Sequence, residues 1–280
     1  MKLAAIGTGK LGSAILRGWI TSGQLLPAEL TLPGRPSGVA LAAELGVQVT
    51  PSNVETVVGA ELLLLAVKPY QLVSVLTEVR EALAPGCLVV SVAAGVPTST
   101  LEAALPDGQP VMRVLPNTPA QIGASASAFC RGRFATDAHA VTISRLFSAL
   151  GLCLEVAESQ MDAVVGVAAS GVAFVYLFLE ALTDGGVRMG LPRPAARQLA
   201  AQTLIGAGRM ALETGQHPME LKDAVTTPAG TTMAGIAVLE SAAFRGIVMD
   251  AVRAATERSA ELASPVGSAD TPTLGAEAPV

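Results

Sequence analysis

A change of rhythm near residue 158 divides this chain. Before it, apolar runs at 2–6, 29–32, 62–66, 87–92 and 111–115 alternate with helical patterns such as 11–21 and 71–83. Short runs of this kind read as strands and the stretches between them as amphipathic helices. Strands joined by helical crossovers run parallel, and a parallel sheet must be covered on both faces. Two further apolar runs, 124–130 and 152–156, flank a helical stretch at 137–150 and are expected to complete the sheet. After Glu158 the strand pattern stops, and long helical segments follow, punctuated by Gly190, Pro192, Gly215 and Pro228. At 280 residues the chain is also at the size, about 250–300 residues, where a single core stops growing. Two domains are therefore expected, 1–158 with a sheet and 159–263 all-helical. From 264 to 280 the chain is a non-periodic mixture of Ser, Pro, Gly, Thr and Ala, which predicts a disordered tail.

Composition narrows the class of function. Apolar residues make up 51% of the chain and charged ones only 15%, enough apolar surface for large cores and for a subunit interface. The net charge of −5, with no run of Lys or Arg, lacks the footprint that nucleic-acid binding requires. Cys87, Cys130 and Cys153 are widely spaced in apolar sequence, so they read as buried thiols of a reducing compartment, with no metal spacing among them. The apolar run at 3–6 is too short for a signal-peptide core, and a cytoplasmic location is expected. Residues 163–179 carry no charge, and a membrane span needs about 17 to 25 apolar residues. That run contains Gly166, Ser170 and Gly171, is bounded by Asp162 and Glu180, and lacks basic flanks. A buried interface helix is the preferred reading, without a membrane.

Gly7-Thr8-Gly9-Lys10-Leu11-Gly12 follows the first expected strand and opens a helix. In that context the glycines form a dinucleotide-binding loop: Gly7 for the tight turn, Gly9 for approach of the pyrophosphate, Gly12 for close helix packing. The fold class is therefore α/β, a Rossmann-type doubly wound parallel sheet followed by an all-helical domain. An acid at the end of the second strand would accept the ribose hydroxyls of NAD. Here the sequence is Thr31-Leu32-Pro33-Gly34-Arg35-Pro36-Ser37, so Arg35 and Ser37 favour the 2′-phosphate of NADP(H), with NAD(H) as the alternative. Arg35 also reads as an ordinary solvated loop arginine. Ala66-Val67-Lys68-Pro69 follows the third expected strand, where Lys68 faces cofactor or substrate or caps a helix.

With these motifs, Ala93-Ala94-Gly95, Arg113-Val114-Leu115-Pro116-Asn117-Thr118-Pro119 and the run from Leu221 to Thr232, the chain resembles pyrroline-5-carboxylate reductase from residue 1 to about 262. The resemblance implies reduction of L-1-pyrroline-5-carboxylate to L-proline, the last step of proline biosynthesis. It implies that Gly7, Thr8, Gly9, Lys10, Leu11, Arg35, Ser37 and Asn53 hold NADPH, together with Ala66, Val67, Lys68, Pro69, Ala93, Ala94 and Gly95. Glu158, Gly230, Thr231 and Thr232 would bind the substrate, with Thr232 as the catalytic group. It also implies a homodimer through interlocked helices of the second domain, or a larger homo-oligomer. The residues themselves suit the chemistry. Pro228 is expected to begin a helix whose free amides, at Gly230, Thr231 and Thr232, would receive the substrate carboxylate. The Thr232 hydroxyl would orient or relay a proton at the ring nitrogen.

The chain departs from the family pattern at three places. Ala168-Ala169-Ser170-Gly171-Val172 replaces a Ser-Gly-Ser-Gly-Pro run, and the lost proline and glycine are expected to straighten that helix. Pro228-Ala229-Gly230 replaces Pro-Gly-Gly, and Ala224 stands at a position often occupied by Asn. These departures leave open a reductase of another cyclic imine or keto acid, and a nucleotide-binding homologue without turnover. A β-hydroxyacid dehydrogenase would need a lysine acid in the helical domain; Lys222, beside Asp223, reads more simply as one half of an ion pair.

Overall fold

The computed structural model describes residues 1–263. The disordered tail expected at 264–280 lies outside them. The chain begins with β1 (Leu3–Ile6), α1 (Lys10–Thr21), β2 (Leu30–Pro33), α2 (Pro36–Leu45), β3 (Gln48–Thr50), α3 (Asn53–Val57) and β4 (Leu62–Leu65). It continues through α4 (Leu72–Val79), β5 (Leu88–Ser91), α5 (Thr98–Ala103), β6 (Val111–Leu115), β7 (Ser125–Arg131), α6 (Asp137–Ser148) and β8 (Gly151–Glu155). The helical half comprises α7 (Met161–Val164), a π-helical segment (Val165–Ala169), α8 (Gly171–Arg188), α9 (Arg193–Thr214), α10 (Pro218–Ala224), α11 (Thr231–Ser241) and α12 (Phe244–Ala263).

The strands form one sheet in the order β3-β2-β1-β4-β5-β6-β7-β8. The order in which strands are added reverses at the parallel pair β1 and β4, which makes their carboxyl ends the crevice where doubly wound sheets bind ligands. Two details were not legible in the periodicity. β3 is short and mostly exposed, so it carries no apolar signature. β7 runs antiparallel to β6, correcting the expectation of a purely parallel sheet. Only a short 3-10 turn, Thr118–Ile122, joins the two, too little chain for the crossover a parallel pair requires.

Both faces of the sheet are covered. One layer packs Trp19 of α1 edge-on against Phe147 of α6, ring centroids 5.3 Å apart, over Leu3, Leu30, Leu62, Leu64 and Val90. The other packs Leu72, Leu76 and Val79 of α4 with Leu101 of α5 over Ile6, Leu63, Leu65 and Val89. All four residues of β4 are buried, as a central parallel strand must be, each Leu contributing roughly 1.5–3 kcal/mol by area removed from water.

The helix that lacks its proline runs unbroken from Glu158 to Arg188, but it is not a regular α-helix throughout. The amide of Ser170 donates to the carbonyl of Val165 at 2.8 Å, a π-type bond that inserts one extra residue. Two contacts hold it there. Gly166 lets α12 approach so closely that a Cβ would lie 2.5 Å from Thr256 Oγ1 and 2.8 Å from the Val252 carbonyl. Asn117 Nδ2 donates to the Ala168 carbonyl at 3.0 Å, taking up an acceptor in the altered turn.

Candidate active site

The glycine loop is built as its sequence demands. Gly7 has φ +105°, a region closed to most side chains, and a Cβ there would sit 2.4 Å from the carbonyl carbon of Ala66. Gly12 lies under the same turn, where a Cβ would be 2.2 Å from the Gly7 carbonyl oxygen. Gly9, the N-cap of α1, has nothing within 4 Å of its would-be Cβ. Two glycines thus close the turn against β4 and the third leaves open space before the amides of α1, the arrangement a pyrophosphate needs. Ser13 Oγ donates to the Gly9 carbonyl at 2.8 Å and steadies the first helical turn. A groove of about 840 Å³ runs along the flank of α1 and shares only Lys10 with this loop.

Beside the loop, Thr8 Oγ1 and Ser37 Oγ are 2.7 Å apart, joining it to the start of α2. Arg35 is the N-cap of α2 and is exposed; among the described residues no acid pairs with it. A free guanidinium, a hydroxyl and a helix N-terminus at the end of β2 fit a 2′-phosphate. Ala66 is tied to β1 by its amide, which donates to the Ile6 carbonyl at 2.8 Å. Val67 and Lys68 follow, and Lys68 is the exposed N-cap of the 3-10 turn Pro69–Gln71. Ala93, Ala94 and Gly95, the last with φ +73°, form the turn after β5. These residues line adjacent carboxyl ends of β1, β2, β4 and β5. Asn53 is placed differently: its side chain is buried, and Nδ2 donates to Glu78 Oε2 at 2.9 Å, bridging α3 and α4.

Glu158 stands where the two halves meet, in the 3-10 turn Glu158–Gln160. Its carboxylate accepts from the Thr98 amide at 2.6 Å and from the Thr98 hydroxyl, and lies 3.7 Å from Arg113 Nη1. Asn117 links the halves a second time, accepting at Oδ1 from the Ala126 amide and the Ser125 hydroxyl, both at 3.1 Å, while Nδ2 holds Ala168. Arg113 and Asn117 belong to a motif that the sequence singled out, but their partners are distant in sequence. No spacing rule would have found Thr98.

At the other candidate segment the structure corrects the sequence reading. Pro228 does not begin a helix: α11 starts at Thr231 with Gly230 as its N-cap, because Ala229 takes φ +57° and breaks the turn. The Gly230 amide is spent on the Thr227 carbonyl at 3.0 Å. The amides without an intrahelical acceptor are those of Thr231, Thr232 and Met233. α11 packs on α12, and α12 packs on α7 and the π-helical segment. Lys222 Nζ and Asp223 are 2.7 Å apart, the ion pair expected of them. Burial pushes the thiols of Cys87 up to about 11 and of Cys130 up to about 12, so neither is a nucleophile at neutral pH.

Residues 158–262 match the family model for pyrroline-5-carboxylate reductase dimerisation, and residues 2–95 match that for NADP oxidoreductase, coenzyme F420-dependent. A pyrroline-5-carboxylate reductase of Methanosarcina acetivorans is 46% identical over 93% of this chain and 97% of its own length. This chain belongs to the pyrroline-5-carboxylate reductase family. The Synechocystis reductase is 42% identical over 94% of this chain and 98% of its own. Among solved structures, the Coxiella burnetii reductase superposes with a TM-score of 0.89 at 32% identity, covering 94% of this chain and 99% of that one. The Plasmodium falciparum pyrroline carboxylate reductase, solved with NADP bound, gives 0.84 at 30% identity, covering 94% and 98%. The reductase family thus accounts for both halves and for the open nucleotide crevice between β1 and β4.

Proposed function

We infer that this chain reduces L-1-pyrroline-5-carboxylate to L-proline, as its family relatives are named for doing. The observation that carries the reading is full-length similarity to these reductases, combined with a glycine loop whose geometry accepts a dinucleotide. The cofactor is NADP(H), which when bound supplies a hydride to the imine carbon. The α1 amides and Gly9 would hold the pyrophosphate, and Arg35 and Ser37 the 2′-phosphate. Lys68 and the Ala93-Ala94-Gly95 turn would flank the nicotinamide end. Asn53 would support this edge from within the α3–α4 packing.

The substrate carboxylate would be received by the free amides of Thr231 and Thr232, where the α11 dipole stabilises an anion. Gly230 would serve by its N-cap conformation, its own amide being used in the turn. The ring nitrogen gains a proton as the carbon gains a hydride, and the Thr232 hydroxyl would orient or relay that proton. Glu158 would face the nitrogen, an anion beside the cation that forms when the imine is protonated.

Residues 1–158 would form the nucleotide domain and 159–263 a dimerisation and substrate domain. Glu158–Arg188 is long and apolar enough to cross a membrane, with a mean hydropathy of 1.9 and only 6% of its best window buried. We assign that bare surface to a second copy of this chain, in keeping with the dimerisation family matched there, and place the protein in the cytoplasm.

Turnover of pyrroline-5-carboxylate with NADPH, read as loss of NADPH absorbance, tests the assignment. Thr232→Ala is expected to lower kcat about 10- to 100-fold while leaving NADPH binding intact. The strained Ala229 and the residues at 168 and 172 favour one second reading, a different cyclic imine. A six-membered piperideine carboxylate turned over faster than the five-membered ring would establish it.

A further inference from the structure

Among the described residues, Arg113 is the one charged side chain that is buried. It projects from β6 on the side shared by Val111 and Leu115, and it is 3% exposed. Its Nε and Nη2 have no hydrogen-bond partner among the described residues, and its one ionic contact is Nη1 to Glu158 at 3.7 Å. A buried guanidinium so poorly satisfied is a liability for folding, since an apolar side chain of similar volume there would be neutral or stabilising. Its presence points to a task other than stability.

What it faces is informative. The Glu158 side chain is 35% exposed, so one edge of the carboxylate remains open, and Thr98 holds the other through amide and hydroxyl. Thr98 is the first residue of α5, directly beyond the turn that follows β5. The carboxylate is therefore fixed at the carboxyl edge of the sheet, at the junction with the helical half. Glu158 arrives on a 3-10 turn at that junction, whereas Arg113 and Thr98 stand on the sheet and its covering helix. The arrangement is a rigid clamp from the nucleotide half on an acid that begins the helical half.

We propose that Arg113 is a positioning residue: with Thr98 it holds the Glu158 carboxylate aimed at the nitrogen of the cyclic imine. The proposal rests on the reading of Glu158 as a substrate-facing acid. Arg113 touches neither substrate nor cofactor and acts through Glu158 alone. The two unpartnered donors are then the cost of keeping a fixed positive charge behind the acid instead of a neutral wall.

The test is a double-mutant cycle on the full-length protein with Arg113→Met, Glu158→Gln and the pair, read by kcat/KM for pyrroline-5-carboxylate, by NADPH affinity from fluorescence, and by melting temperature. Arg113→Met is expected to lower kcat/KM about 10- to 100-fold through misplacement of the acid. NADPH affinity should stay within about twofold, and the melting temperature should hold or rise. The double variant should be no worse than Glu158→Gln alone, and Arg113→Lys, which keeps the charge, should recover part of the loss. Wild-type kinetics in Arg113→Met beside an impaired Glu158→Gln would overturn the proposal and spare the role of Glu158. Wild-type kinetics in Glu158→Gln would overturn that role, and the proposal with it. Additive losses in the double variant, or a collapse of melting temperature matching the lost activity, would show that Arg113 is structural.

Discussion

The two halves of this chain keep their apolar residues in opposite places. In the nucleotide half Trp19, Phe147, Leu62, Leu63, Leu64 and Leu65 are fully buried between sheet and helices. In the helical half Leu177 is 73% exposed, Leu212 73%, Val238 68% and Met249 67%, while the buried apolar positions described there are few: Met161 at the junction with the sheet, and the small Ala196 and Ala200. A sheet with helices on both faces completes its own core. Helices that touch one another along narrow stripes leave broad faces bare, and surfaces of this kind mark interfaces. The contrast teaches that the first half completes its core within one chain, whereas the second leaves most of its large apolar side chains uncovered.

The largest effect expected from breaking this contrast is at the bare face. Leu177→Asp should dissociate the assembly, seen by light scattering, and lower kcat/KM about 100-fold or more, the scale of a hot-spot loss, while leaving NADPH binding unchanged. Retained oligomer and activity would mean that this face of α8 is not the covered one. A smaller and complementary effect belongs to the other half. The Cβ of Gly9 would enter open space, so Gly9→Val should leave the melting temperature unchanged but weaken NADPH about 10- to 100-fold by blocking the approach to the α1 amides. A loss of stability instead would show that the space is needed by the fold. The smallest effect sharpens the helical side: Ala229 sits at φ +57°, so Ala229→Gly should relieve left-handed strain and raise stability by about 0.5–1 kcal/mol after the added entropy cost of glycine.

Much of the nucleotide half was legible because its signals are local. The strand at 62–66, the loop from Gly7 to Gly12 and the absence of an acid after β2 each follow from neighbours in sequence, and the structure places them as read. β3 was missed because three mostly exposed residues carry no pattern, and the direction of β7 because it depends on the length of a turn. In the helical half, the sequence recognised an uncharged helix and a Thr-rich segment but not their detail. It carried no sign of the π-helical turn beside Gly166, α12 and Asn117, and it misplaced at Pro228 a helix start that Ala229 delays to Thr231.

The sequence by itself determined the class of fold, the dinucleotide loop and the absence of an acid after β2, because these rest on backbone freedom, periodicity and charge within a few residues. Only the tertiary structure decided that Arg113, Thr98 and Glu158 form one cluster, that Asn117 reaches Ala168, and that Asn53 turns inward to Glu78. Those contacts join residues brought together by sheet order and domain packing, and hydrogen bonds between distant segments leave no periodic trace along the chain.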